Sequence, residues 1–217
     1  MRSSVSTSLV VATLFATFGT TALFAQEQTF TAQAWGDNWF EFYVDGEVVM
    51  TDSEPLMKEQ SFNAEDFSFK AELPAQIAVV LMDYKEDDSG FEYIGSRRQQ
   101  MGDGGFIAEI RNEDGELVAA TGSDWLCKVI HQAPLNPSCG SSDNPLQACE
   151  SNILPMPSGW TEAGFDDSGW MNAVVHSSGA VRPRGGYSYY SWDSSSKLIW
   201  GEDLEIDNTI LCRYTLN

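Results

Sequence analysis

The run Trp39-Phe40-Glu41-Phe42-Tyr43-Val44 is aromatic and β-branched, stops at Asp45-Gly46 and resumes as Glu47-Val48-Val49-Met50. Both turn residues accept positive φ, so two strand-like runs separated by Asp-Gly predict a β-hairpin. The same grammar continues along the chain. Ser61 to Phe69 alternates, with Phe62, Phe67 and Phe69 as its apolar members. Gln76 to Asp83 is a continuous apolar run, short enough for a strand buried on both faces. After the acidic loop Glu86-Asp87-Asp88-Ser89-Gly90 comes Phe91 to Gly95, then a glycine-rich turn, Gly102 to Gly105. Phe106 to Ile110 and Glu116 to Ala120, joined by Glu113-Asp114-Gly115, predict a second hairpin. Trp125 to Ile130, Asn172 to His176, Lys197 to Trp200 and Asn208 to Leu216 supply further strands. Beyond residue 25, no stretch longer than about ten residues has clean helical periodicity. Neither a linker-like break in composition nor an internal repeat is present. The expected fold is all-β, a single-domain β-sandwich over residues 26–217.

The N-terminus carries Arg2, an apolar run from Leu9 to Phe18, small residues and then Leu23-Phe24-Ala25, with no acid before Glu27. That order predicts a signal peptide over residues 1–25, cleaved after Ala25 or alternatively Ala22, and hence a secreted, extracellular or cell-surface protein, periplasmic in a bacterium. The apolar core is about ten residues, against roughly 20 for a spanning helix, so no membrane insertion is expected after its removal. Four cysteines, Cys127, Cys139, Cys149 and Cys212, follow the signal, with no C-x-x-C spacing and only two histidines. In an exported chain this favours two disulfides over a metal site. Three connectivities are open. The one expected pairs Cys139 with Cys149, tying off a Pro/Ser/Asn-rich loop, and Cys127 with Cys212, tying the last strand to the body.

The formal net charge of −20 excludes a nucleic-acid partner, because counterion release from phosphates needs Lys and Arg. Its plain reading is a solvated, soluble surface.

Three stretches together resemble a known family. Phe40 to Glu47 is similar to a hairpin of galactose-binding-like jelly rolls. Gly159-Trp160-Thr161-Glu162-Ala163-Gly164-Phe165-Asp166-Asp167-Ser168-Gly169-Trp170 resembles a signature of the same fold in non-catalytic accessory domains of glycosidases. Ile199-Trp200-Gly201 and Leu211-Cys212-Arg213-Tyr214 look like its closing strands. Asp45, where Asn is commoner, and the cysteine loop depart from the pattern. The resemblance implies a jelly-roll sandwich that recognises carbohydrate without catalysis. The Gly159-to-Trp170 stretch itself reads as a fold staple, its Asp and Ser side chains bonding turn N–H groups and its aromatics burying large areas.

Carbohydrate binding needs flat aromatics for the C–H faces of sugar rings and polar groups for the hydroxyls. Two clusters offer both. Trp35 and Trp39 flank Gly36-Asp37-Asn38, while Tyr187, Tyr189, Tyr190 and Trp192 lie in a Gly/Ser-rich segment beside Arg182 and Arg184. The expected partner is a glycan or a matrix component. A structural calcium ion is the most credible cofactor: Asp83, Glu86, Asp87 and Asp88 cluster around one turn and Asp103 lies in the glycine turn, and calcium takes oxygen ligands. The resemblance also implies calcium near such loops; a solvated loop is the plainer reading. No G-x-S-x-G elbow accompanies His131 or His176, so no catalytic residues are assigned. The rival functions are a self-associating structural subunit of a surface or appendage assembly, and a small secreted hydrolase.

Overall fold

Alternation builds the first strand, β1 (Gln28–Asp37): Phe30, Ala32 and Ala34 point to one side, buried, while Thr31, Gln33 and Trp35 point to the other. The computed structural model describes residues 26–55, 62–83 and 87–217. The expected signal segment, together with Ser61 and Glu86, lies outside the described residues.

The chain continues through β2 (Trp39–Val44), β3 (Glu47–Thr51), β4 (Ala64–Ala71) and β5 (Ala75–Met82). Asp45 and Gly46 join β2 to β3 with φ of 48° and 89°, the positive pair that a two-residue hairpin turn requires. Next come β6 (Phe91–Glu92), β7 (Gln100–Met101), β8 (Gly105–Arg111), β9 (Leu117–Ala120) and β10 (Leu126–Gln132). The expected strand over Phe91 to Gly95 is shorter than its sequence suggests, because Tyr93 turns the chain with φ of 51°. The last third holds β11 (Asn152–Ile153), β12 (Met171–Asn172), β13 (Val174–His176), β14 (Leu198–Trp200) and β15 (Asp207–Leu216). Among the described residues there are two α-helices, α1 (Pro145–Ala148) and α2 (Ser178–Val181), of four residues each. Among the described residues no helix is long and apolar enough to cross a membrane.

Every pairing is antiparallel. The first sheet runs β13-β14-β8-β1-β4, with β9 beside β8; the second runs β11-β10-β15-β5-β2-β3, with β12 beside β10. The inner faces meet in one core. Phe30, Phe69, Phe106 and Ile199 come from the first sheet, and Phe40, Phe42, Ile77, Leu81 and Ile210 from the second. Burying each of these side chains contributes roughly 1.5–3 kcal/mol. The chain is an all-β sandwich with two disulfides, Cys127–Cys212 and Cys139–Cys149, both as expected from the sequence.

Strand β5 is buried on both faces because the outer face of the second sheet is covered in turn. Trp160, Phe165 and Trp170 pack there against Ala78, Val80, Ile130 and Leu211. Asp166 accepts the Ser168 N–H at 3.1 Å to shape the turn between those aromatics.

One buried acid sets a pH dependence. Asp52, just past β3, is 6% exposed; its Oδ1 accepts the Glu54 N–H at 2.9 Å and its Oδ2 has no partner. Burial pushes its pKa up to about 6, against the opposing hydrogen bonds from Glu54 and Asn63. A folded pKa above the unfolded value of roughly 3.9 means the folded state holds its proton longer. Stability from this group is therefore present below about pH 4 and lost as pH rises to about 6. Asp52→Asn is expected to raise stability at pH 7 by about 1–3 kcal/mol and to change little at pH 4. Urea unfolding midpoints at the two pH values check this.

Candidate functional site

The outer face of the first sheet is built from cross-strand rows. Register aligns Ser68, Thr31 and Arg111 in one row, Asp66, Gln33 and Glu109 in the next, and Ala64, Trp35 and Ile107 in a third. The third row is apolar and covered. Val181, Leu198, Tyr187 and Trp192 pack onto Trp35 and Ile107, and the Trp35 indole N–H donates to the Phe62 and Arg184 carbonyls, each at 3.1 Å. The other two rows are polar and line an open groove of about 340 Å³, with Glu109 buried in its floor.

The covering segment places aromatics beside this groove. Trp192 sits between Tyr187, with ring centroids 5.8 Å apart, and Tyr190, at 5.6 Å. The Tyr190 hydroxyl donates to the Asp66 carboxylate on the groove floor. That bond, helped by partial burial, pushes the Tyr190 phenol up to about 12. Glu109 anchors the segment: its carboxylate accepts the Asp193 N–H and the Ser196 hydroxyl (2.7 Å) on one oxygen and Arg111 (2.8 Å) on the other.

Tyr187, Tyr190 and Trp192 are thus brought together, while the remaining aromatic candidates are not. Trp35 is 0% exposed and offers no face to a ligand; its position on β1 puts it under the covering segment. Trp39 is half-buried on the opposite side of the sandwich, against the Trp160 cluster. Tyr189 points to solvent at 82% exposure. Arg184 is exposed and pairs with Asp103 at 3.0 Å, at the end of the sandwich rather than in the groove.

That end gathers acids from four places. Asp37 closes β1, Asp83 follows β5, Glu92 closes β6 and Asp103 lies in the glycine turn before β8. Carboxylate oxygens of Asp83, Glu92 and Asp103 lie within 4.8 Å of one another. Asp37 is 1% exposed and neither of its oxygens has a hydrogen-bond partner. Burial holds Asp37 well above the usual carboxylate range, and the charges of Asp103, Asp83 and Glu92 push it further, with Arg184 opposing. Asp103 is raised by burial against Arg184 and Arg182. Gly102 permits the approach, since a Cβ there would lie 1.6 Å from Asp83 Oδ2. Beside the cluster is a polar pocket of about 220 Å³, whose walls include Asn38, Glu92, Tyr93, Gln100, Asp103 and Arg184.

Among the described residues of the acidic loop, Asp83 belongs to this cluster and Asp87 and Asp88 do not. Asp87 instead accepts the Ser89 N–H at 2.7 Å, and Asp88 is exposed. Glu86 lies outside the described residues. Sequence reasoning overlooked Asp37, Glu92 and the six polar groove residues. The groove residues had a readable signal, the every-second-residue pattern on β1, β4 and β8; the acids meet only through long-range topology. Comparison of the chain with family models, with curated proteins and with solved structures finds no match.

Proposed function

We propose that this domain is a non-catalytic glycan-recognition module whose sugar site is the open half of the first sheet's outer face. One observation carries the reading: two polar rows across three adjacent strands end beside the Tyr187-Trp192-Tyr190 cluster. Gln33, Ser68, Thr31 and Arg111 provide donors and acceptors for hydroxyls, and an aromatic edge suits a sugar's C–H face. The groove volume of about 340 Å³ falls within the range of small-ligand sites. The two acids on the floor have other tasks. Glu109 is committed to Asp193, Ser196 and Arg111, and Asp66 to Tyr190, which argues for recognition over acid–base chemistry. The resemblance of Gly159 to Trp170 to glycosidase accessory domains supports the same reading, and the expected signal segment and the disulfides support an extracellular setting.

A glycan array followed by calorimetry on the best hit tests this. Gln33→Ala and Trp192→Ala are each expected to weaken binding by about tenfold or more, as loss of a buried hydrogen bond or a stacking surface does. Gln33→Ala guards against misfolding of the covering segment, since Gln33 holds none of it. Binding untouched by both substitutions would move the site elsewhere. An array silent with and without a calcium chelator would favour a structural subunit.

A further inference from the structure

We infer that Asp37, Asp83, Glu92 and Asp103 form a calcium site at the end of the sandwich, a site independent of the glycan reading. Three of these carboxylates already stand at coordination spacing. Calcium–oxygen distances of about 2.3–2.6 Å put opposite ligands roughly 5 Å apart, and the oxygens of Asp83, Glu92 and Asp103 lie within 4.8 Å of one another.

Asp37 supplies the second, separate observation. It is 1% exposed, at the end of β1, with both carboxylate oxygens unpartnered; strand register sets it opposite Gly105, just past Asp103, and the next N–H, of Asn38, donates at 3.1 Å to the Met82 carbonyl beside Asp83. A buried carboxylate is normally paired or bound to a metal, and an orphaned one calls for a missing partner. The nearby cation, Arg184, is bonded to Asp103 instead. A divalent ion among the four carboxylates would satisfy Asp37 and offset the repulsion within the group.

The donor set selects the ion. All four candidate ligands are carboxylates, with no His or Cys among them, so a hard cation is indicated. Magnesium retains most of its waters and takes one or two carboxylates, whereas calcium accepts six to eight oxygens in flexible geometry. Three or four carboxylates on separate segments therefore point to calcium. The glycine turn is shaped to the task, because Gly102 leaves room for the Asp83 carboxylate where any side chain would overlap it.

The test is calcium titration of the whole protein by calorimetry, with melting curves in calcium and in chelator. The parent is expected to bind calcium, to melt higher with it than with chelator, and to respond less to equal magnesium. Asp37→Asn is expected to show opposite effects in the two conditions. In chelator it melts at or above the parent, because a buried carboxyl with two unpartnered oxygens is gone; in calcium it loses most of the parent's gain. Asp103→Asn is expected to weaken calcium binding by about tenfold or more, and Asp88→Asn to leave it unchanged. Absence of calcium binding by the parent, or parental affinity in Asp37→Asn, would overturn the assignment.

Discussion

Arg213→Ala is expected to destabilise the fold by about 3–5 kcal/mol, the range for removing one member of a buried ionic network. Arg213 is 2% exposed on β15. Its Nε donates to Asp167 at 2.7 Å, and its Nη1 donates to the Trp160 carbonyl and to the Glu162 carbonyl at 3.2 Å. The guanidinium also lies 5.2 Å from the Phe165 ring centroid. One side chain thus fastens the Gly159-to-Trp170 stretch to the closing strand. Truncation leaves two carbonyls and a carboxylate without their donor, and frees Trp160 and Trp170 to leave the sheet. Arg213→Lys should recover only part of the loss, because an ammonium lacks the planar fork that serves acceptors on several sides. Urea denaturation measures the cost, and hydrogen exchange across residues 159–170 locates it. A loss below about 1 kcal/mol, the value of a surface pair, would contradict the role given to Arg213.

The second large effect belongs to the Cys127–Cys212 bridge. The two residues face each other in the β10–β15 register and are separated by 85 residues in sequence. Closing so long a loop restricts the unfolded chain strongly, and its loss is expected to cost about 4–5 kcal/mol. Cys139 and Cys149 are only 10 residues apart, so their bridge should contribute about 2–3 kcal/mol by the same argument. Paired substitutions to Ala, compared by denaturant midpoints, check the order. Equal losses would show that loop length does not control the difference. The sites also differ in surroundings: Cys212 and Cys127 join the main core, whereas the other bridge closes a loop beside α1.

Much of this architecture was legible because its signals are local. Asp45-Gly46 announces its hairpin through backbone freedom alone, and the apolar run of β5 announces burial on both faces. Of the three disulfide connectivities open to four cysteines, the favoured one, which ties off a loop and ties the last strand to the body, is the one formed. Strand β1 escaped notice although Thr31, Gln33 and Trp35 alternate with Phe30, Ala32 and Ala34, since alanines make a faint apolar side. Missing β1 had consequences. Trp35 looked like a loop aromatic available to sugar, when strand parity sends it beneath Tyr187 and Trp192. The polar rows of the groove also depend on β1 for their middle members. In the acidic group, Asp83 and Asp103 drew attention through neighbours in sequence. Asp37 and Glu92 join them only because the ends of β1, β5 and β6 converge, a fact of topology with no local trace.

The segment from α2 to β14 covers one apolar row of the first sheet, together with Glu109, and leaves the rest of two polar rows bare. The strands beneath are complete without it, their ladders formed by β4, β1 and β8. The segment therefore behaves as a shutter on a fixed frame, and its length sets the aperture. Shortening it or exchanging residues 187–192 would change how much floor is on view while leaving the strand pairing beneath intact. For anyone wishing to build new binding surfaces on this sandwich, that shutter is the part to diversify.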